Sequence, residues 1–291
     1  MKRSDFIDPF KGQRGCYHFS SSHHETRLIF RSTKDFIIGV NTLALLLPGS
    51  GVEIVAYCLM DNHIHILFKG RYKDCLRFYN RVIHRLAQML GFSNVLRAED
   101  LDIVAVTSDL QLKREICYIH RNPYKARIAS PDAYRWSSAD VYFKTSLPSG
   151  AQVRSLNVEK RRELFQTKIS LPDTYEYLDG RILNKSFVSF DWASSKFTGS
   201  VEYFDLLRKY SLEAEVEEQH GIHEAVTFSD AELQERIKSI CVNEFHKGSI
   251  SGLDRKELLR LARIVSFRFG ASPAQMSRLT GVEKAVLERI L

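Results

Sequence analysis

Two histidines separated by one apolar residue are the first group in this 291-residue sequence whose spacing could do chemistry. His63 and His65 lie in the run 57–68, which is rich in residues that favour β-strands. Successive side chains of a strand point to opposite faces, so the two imidazoles share a face, roughly 6.5–7 Å apart, while Ile64 points the other way. Imidazole is the commonest metal-ligating side chain, so this face could bind one divalent cation. Two solvated histidines on a half-buried strand would give the same pattern.

A second stretch, residues 111–122, predicts a helix that ends before Pro123, because the residue preceding a proline is pushed away from the α conformation. Arg114, Tyr118 and Asn122 recur every four residues and form one stripe of this helix. A different face carries the apolar residues that we expect to pack on a sheet, Leu112, Ile116 and Ile119. Asn122 offers a hard oxygen close to the tyrosine hydroxyl. The alternative is a packing tyrosine whose hydroxyl meets water.

These motifs resemble those of a known family. Met60-Asp61-Asn62-His63-Ile64-His65 and Tyr118-Ile119-His120-Arg121-Asn122-Pro123 resemble the two motifs of the single-tyrosine HUH transposases, in particular the REP-associated tyrosine transposases and their insertion-sequence relatives. Tyr17-His18-Phe19 resembles the family's opening, and Tyr134-Arg135-Trp136-Ser137-Ser138 its tail signature. Two departures are visible. Asp61 stands where the family usually has proline, beside the predicted metal face, and Tyr124 stands where it usually has valine.

The resemblance implies a reaction and a role for each matching residue. Family members cut single-stranded DNA with a tyrosine hydroxyl, which leaves a 5′-phosphotyrosine and a 3′-hydroxyl. By position, Tyr118 is then the nucleophile, and His63, His65 and Asn122 hold a divalent cation, Mg²⁺ or Mn²⁺. An unperturbed tyrosine titrates near pH 10 and is a weak nucleophile, so a cation that neutralises and orients the scissile phosphate would assist it.

The distribution of charge favours a nucleic-acid partner. The chain has a formal net charge of +7. Residues 1–150 hold 21 basic and 14 acidic side chains, whereas the remaining 141 residues hold 21 of each. The surplus therefore coincides with the histidine and tyrosine motifs, as phosphate binding requires. We expect Arg114, Lys125 and Arg127 to contact DNA phosphates; solvated basic residues are the alternative for the last two.

The pattern of apolar residues predicts an α+β fold for the first half of the chain. The predicted elements are a strand at 15–20, a helix at 34–47, strands at 52–60 and 63–69, a helix at 73–90, a strand at 103–107 and a helix at 109–121. The order βαββαβ is that of a ferredoxin-like sandwich, with helices against an antiparallel sheet. The histidine strand is central in this topology, and the Tyr118 helix must lie beside it.

We divide the chain into a catalytic domain at 1–148, a mainly helical middle region at 149–248 and a helix-turn-helix-like region at 249–291. Helices are predicted at 156–165, 200–210 and 229–245, and again at 253–269, 273–279 and 282–291, with Gly270 as a stop and Ser272 as a cap. If the last region binds duplex DNA, Lys284 and Arg289 are the side chains expected to reach it. An ordinary three-helix bundle used for packing is the alternative.

The cysteines, the N-terminal sequence and three further histidines bear on the location of the protein and on its competing functions. Five scattered cysteines without a CxxC spacing fit reduced thiols, and Met1–Phe10 lacks the apolar core of a signal peptide. We therefore expect a cytoplasmic, nucleoid-associated bacterial protein. We expect it to have no membrane partner and to be a monomer or a homodimer. His18, His23 and His24 could form a metal cluster, but we interpret them as a partly exposed loop. The resemblance favours an active transposase-type enzyme. A related nicking enzyme for replication or repeat-element maintenance, or a DNA-binding regulator with an idle site, remain alternatives.

Overall fold

The computed structural model describes residues 3, 6–21, 28–91, 101–126, 128–166, 169, 171–219, 230–269, 271 and 273–290. The chain forms two compact units. The first comprises Met1–Asn122 and Pro131–Glu213, and the second comprises Pro123–Ser130 and Ala214–Leu291. No helix within the described ranges combines the length and apolar character needed to cross a lipid bilayer. The functional division at residues 148 and 248 stays a prediction.

The first unit opens with the predicted order of strands and helices. Its elements are β1 (Arg14–Ser21), α1 (Thr33–Leu46), β2 (Glu53–Leu59), β3 (Ile64–Arg71), α2 (Tyr72–Leu90), β4 (Leu101–Val106) and α3 (Asp109–Lys125). The four strands form one antiparallel sheet in the order β2-β3-β1-β4. This topology confirms the ferredoxin-like sandwich and the central position of β3.

The two faces of the sheet carry different side chains. Phe19 of β1 and Phe68 of β3 lie on the face that packs against α2, with ring centroids 5.8 Å from Tyr79 and 5.6 Å from Phe78. Strand alternation places the neighbouring residue His18 on the other face. That face meets α3, whose residues Leu112, Ile116 and Ile119 are buried as predicted. The sheet thus has one face packed against α2 and a second face, which carries His18 and is covered by α3; we call the second one the polar face.

The outer edge of β2 is covered by the segment that follows α3. The Tyr134 hydroxyl donates to the carbonyl of Leu59 (2.7 Å), and the Leu59 amide donates to the carbonyl of Trp136 (2.9 Å). The Tyr142 hydroxyl donates to the carbonyl of Val55 (2.8 Å). An uncovered edge strand could pair with another chain. The segment after α3, which includes the motif at residues 134–138, therefore protects the edge of the sheet.

The rest of the first unit combines helices with a small sheet. Its elements are β5 (Ala151–Gln152), α4 (Val158–Phe165), β6 (Glu176–Leu178), β7 (Arg181–Ile182), α5 (Phe190–Ser194) and α6 (Ser200–Gln219). The prediction of helices near 156–165 and 200–210 is confirmed. The three-stranded sheet β5-β6-β7 was not predicted, because strands of two or three residues are too short to show a period. Asn41 of α1 fixes β7 by accepting from the Ile182 amide and donating to the Gly180 carbonyl, both at 2.8 Å.

The second unit contains α7 (Asp230–Phe245), α8 (Arg255–Phe269), α9 (Pro273–Thr280) and α10 (Lys284–Leu287). The four helices share a core that includes Ile237, Leu261 and Met276. The prediction of a final helix at 282–291 was wrong in length, since α10 spans only Lys284–Leu287 and residues 288–290 form a turn. The predicted stop Gly270 and cap Ser272 lie outside the described residues.

Candidate active site

The two predicted histidines lie together on the polar face of the sheet. His65 belongs to β3, and His63 precedes this strand in the hairpin, where the Met60 amide donates to the His63 carbonyl (2.9 Å). Their ring centroids are 4.9 Å apart and the rings are nearly perpendicular. Both side chains are buried, with 8% and 1% of their surface exposed. The interpretation as two solvated histidines is therefore wrong.

Tyr118 of α3 joins this pair. Its ring centroid lies 5.7 Å from that of His65 at an interplanar angle of 90°, and 5.9 Å from that of His18. The Arg121 guanidinium carbon lies 5.5 Å from the Tyr118 ring centroid. Tyr118 is only partly buried, so a ligand could reach it. The packing of α3 on the polar face thus brings the tyrosine to the histidines.

Asn122 is buried one turn after Tyr118. Its amide nitrogen donates to the carbonyls of Tyr118 (2.9 Å) and Ile119 (3.4 Å). The second bond explains why the predicted helix end at 122 was wrong. Pro123 has no N–H to offer the Ile119 carbonyl, and the Asn122 side chain supplies a donor instead, so α3 continues to Lys125. With its nitrogen turned to the helix, Asn122 has its oxygen as the possible ligand.

His18 and Glu115 also belong to this site, and our sequence analysis missed their role. His18 lies in β1 and is 5% exposed, so its interpretation as part of a partly exposed loop was wrong. Its Nε2 lies 3.0 Å from Nδ1 of His65, and its Nδ1 lies 2.7 Å from Oε2 of Glu115 on α3. His23 and His24, which we interpreted as part of the same loop, lie outside the described residues. The register of β1 beside β3 brings His18 into contact with His65.

The donor atoms of the site suit a divalent cation. Nδ1 of His63 lies 2.8 Å from Oδ1 of Asn62, and Nδ1 of His65 contacts His18, so Nε2 is the nitrogen that either ring would offer a metal. Such contacts from a second layer are typical of metal-ligating histidines. Within the described part of the chain, no three His, Cys, Asp or Glu side chains are grouped to hold a metal. A cation here would therefore need the Asn122 oxygen, or oxygens from substrate and water, beside the imidazoles.

The residues predicted to contact DNA are dispersed. Arg114 is exposed on α3, one turn before Tyr118. Lys125, Lys284 and Arg289 are exposed in the second unit, where Lys284 also pairs with Glu288 at 3.3 Å. Arg127 lies outside the described residues. A recognition helix of four residues is short for entering a major groove, and the helix-turn-helix assignment stays a prediction.

His120, between Tyr118 and Asn122, has a structural role. It is fully buried, and its two ring nitrogens lie 2.9 Å from the Tyr203 hydroxyl and 2.9 Å from the Ser138 hydroxyl. Burial lowers the pKa of His120 to about 3. A neutral imidazole therefore links α3 to α6 and to the segment that covers β2.

No family model matches the chain, and no curated protein matches it. A solved structure described as a REP-associated tyrosine transposase bound to a REP hairpin is similar to part of it. The two are 15% identical, the alignment covers 43% of this chain and 77% of the other, and the TM-score is 0.39. Similarity at this level carries no argument about function.

Proposed function

We propose that this protein is a metal-assisted DNA transesterase of the transposase type, which cleaves single-stranded or hairpin DNA with the Tyr118 hydroxyl. The observation that carries the proposal is the approach of the Tyr118 ring to that of His65, with centroids 5.7 Å apart, beside the His63–His65 pair at the start of β3. The resemblance of the surrounding motifs to single-tyrosine transposases supports the same assignment.

The proposed reaction exchanges one phosphoester for another. The phenolic oxygen of Tyr118 attacks the scissile phosphorus and its proton passes to water. The bond from phosphorus to the 3′ oxygen breaks, and that oxygen takes up a proton and leaves as a 3′-hydroxyl. The DNA 5′ phosphate stays on the tyrosine. Because the ester is conserved, attack by another 3′-hydroxyl can rejoin the DNA without ATP.

Side chains around Tyr118 favour this attack. The Arg121 guanidinium lies close to the phenol ring, and its positive charge stabilises negative charge that develops on the hydroxyl or on an incoming phosphate. His63, His65 and Asn122 would hold Mg²⁺ or Mn²⁺. Such a cation, when bound, neutralises charge on the non-bridging phosphate oxygens. Arg114, exposed one turn earlier on α3, would steer the DNA backbone toward the tyrosine.

The test is formation of a covalent adduct. The full-length protein is incubated with Mn²⁺ and a pool of 3′-labelled oligonucleotides that place a random single-stranded segment beside a hairpin, and labelled protein is counted on a denaturing gel. We expect an adduct from the wild type and a loss of at least 100-fold in Tyr118→Phe, because no other group replaces the nucleophile.

Tyr177→Phe is the matched control, since Tyr177 is a partly buried tyrosine on the small sheet, on β6. It should form the adduct at the wild-type level. An adduct that survives in Tyr118→Phe would show that the nucleophile is misassigned. A wild type that forms none, while it still binds the oligonucleotides, would favour the idle DNA-binding regulator.

A further inference from the structure

A chain of three side chains links the proposed cation site to the helix of the proposed nucleophile. Glu115 of α3 contacts Nδ1 of His18 at 2.7 Å, and Nε2 of His18 contacts Nδ1 of His65 at 3.0 Å. We call Glu115, His18 and His65 the relay. His65 and His18 are almost fully buried, and the Glu115 side chain is 19% exposed. Three elements, β3, β1 and α3, thus meet through this relay.

When both imidazoles are neutral, the state in which a histidine ligates a metal, the relay determines where their protons sit. A carboxylate can only accept a hydrogen bond, so Nδ1 of His18 must carry the proton that faces Glu115. Nε2 of His18 is then an acceptor, and Nδ1 of His65 must donate to it. This places the lone pair of His65 on Nε2, the atom that a metal would take.

We propose that His18 and Glu115 are positioning residues, which hold His65 in the Nδ1–H tautomer and so prepare its Nε2 to ligate the cation. The cation itself rests on the proposed function; the tautomer does not. Because Glu115 lies three residues before Tyr118 on α3, the same contacts also fix the nucleophile's helix against the metal-binding strand. A carboxylate that orients a ligand histidine is a common arrangement, and here a second histidine extends it.

The arrangement does more than fill the core. A phenylalanine at position 18 would still offer a ring to the neighbouring rings of His65 and Tyr118, whose centroids lie 5.2 Å and 5.9 Å from that of His18. It would not accept a hydrogen bond from His65. Packing alone therefore does not require the ring nitrogens of His18. Their contacts with Glu115 and His65 favour the Nδ1–H tautomer of His65.

The test reads the tautomers directly and without DNA. The full-length protein is labelled with ¹⁵N-histidine, and long-range ¹H–¹⁵N spectra of the metal-free wild type, His18→Phe and Glu115→Gln are compared. We expect His65 as the Nδ1–H tautomer in the wild type, with loss of that preference in His18→Phe and a smaller loss in Glu115→Gln. His63, whose Nδ1 contacts Asn62, is the internal control and should not change.

Mn²⁺ affinity, measured by titration calorimetry on the same proteins, is the second readout. We expect a dissociation constant about 10–100-fold weaker in His18→Phe and a smaller change of the same sign in Glu115→Gln. Glu202→Gln removes a different carboxylate that binds α3, through Lys113 at 2.6 Å, and should change affinity less than twofold. Glu115→Gln is nearly isosteric and keeps the inference testable if His18→Phe does not fold.

The outcomes separate this inference from the proposed cleavage. An Nε2–H tautomer of His65 in the wild type, unchanged tautomer and affinity in both variants, or no Mn²⁺ binding by the wild type would each overturn the inference. A wild type with the expected tautomer and Mn²⁺ response that forms no DNA adduct would leave the relay standing and refute the cleavage reaction alone.

Discussion

At the scale of single residues, His65 is the side chain on which the contacts of the candidate site converge. It meets His63, Tyr118 and His18, each through a short ring or nitrogen contact. All four groups lie on the face of the sheet that α3 covers. A change at this position should therefore alter the proposed cation binding and the environment of the tyrosine together, whereas a change at Tyr118 should affect the proposed chemistry alone.

This difference gives a prediction about metal binding. His63→Ala and His65→Ala should each weaken Mn²⁺ binding at least 100-fold and abolish the DNA adduct, because each removes an imidazole ligand. Tyr118→Phe should bind Mn²⁺ like the wild type. His84→Ala, which removes an exposed histidine of α2, is the matched control for calorimetry. Wild-type affinity in either ligand variant would refute the assignment.

The buried His120 gives a prediction about pH. Burial lowers its folded-state pKa to about 3, whereas an unfolded histidine titrates near 6.5. Between these values the unfolded state binds one more proton, so this residue stabilises the fold less as the pH falls below about 6.5. In EDTA, the unfolding free energy of the wild type should fall by about 1.4 kcal/mol more per pH unit than that of His120→Gln. Equal slopes from pH 6.5 to 4.5 in urea denaturation would contradict this account.

At the scale of elements, the sequence predicts the parts that have a strong period and misses those that depend on long-range register. Alternation along residues 63–65 predicts that His63 and His65 share a face, as their neighbouring rings do in the structure, and α3 shows its apolar stripe. His18 is 97 residues from Glu115 and 47 from His65 in the sequence. The contact of His18 with His65 follows from the register of β1 against β3, and its contact with Glu115 follows from the packing of α3. Alternation within one strand fixes neither of them. The helix end beyond Asn122 likewise depends on one side-chain hydrogen bond.

The segment that covers β2 provides a stability test at this scale. The buried Ser138 hydroxyl accepts from the Tyr57 amide at 2.9 Å and also contacts His120. Ser138→Ala leaves these two buried groups without that partner and should lower the unfolding free energy by about 1–3 kcal/mol. Ser155→Ala, at an exposed serine, should change it by less than about 0.5 kcal/mol. Equal unfolding midpoints for both variants would show that the Ser138 contacts do not stabilise the edge.

At the scale of the whole molecule, the basic surplus lies in the first 150 residues, with 21 basic against 14 acidic side chains. Each phosphate that a basic side chain neutralises releases counterions, so DNA affinity should fall steeply as salt rises. Both compact units carry exposed basic residues. Which of these residues contact DNA stays a prediction.

Lys125 tests this assignment. In a Tyr118→Phe background, which prevents cleavage, Lys125→Ala should make the slope of log affinity against log salt less steep by about one. Lys160→Ala is the control, because Lys160 is exposed on α4 and pairs with Glu163 at 2.8 Å. Fluorescence anisotropy with a labelled single-stranded oligonucleotide gives the slopes. Identical slopes for Lys125→Ala and its Tyr118→Phe parent would exclude a phosphate contact at this residue.

The most direct measurement for the central claim is the identity of the residue that carries the DNA. The adduct formed with Mn²⁺ is trimmed with nuclease and protease, and the modified peptide is sequenced by tandem mass spectrometry. We predict a nucleotide joined through its 5′ phosphate to Tyr118. A nucleotide on any other side chain, or a linkage through a 3′ phosphate, would contradict the mechanism.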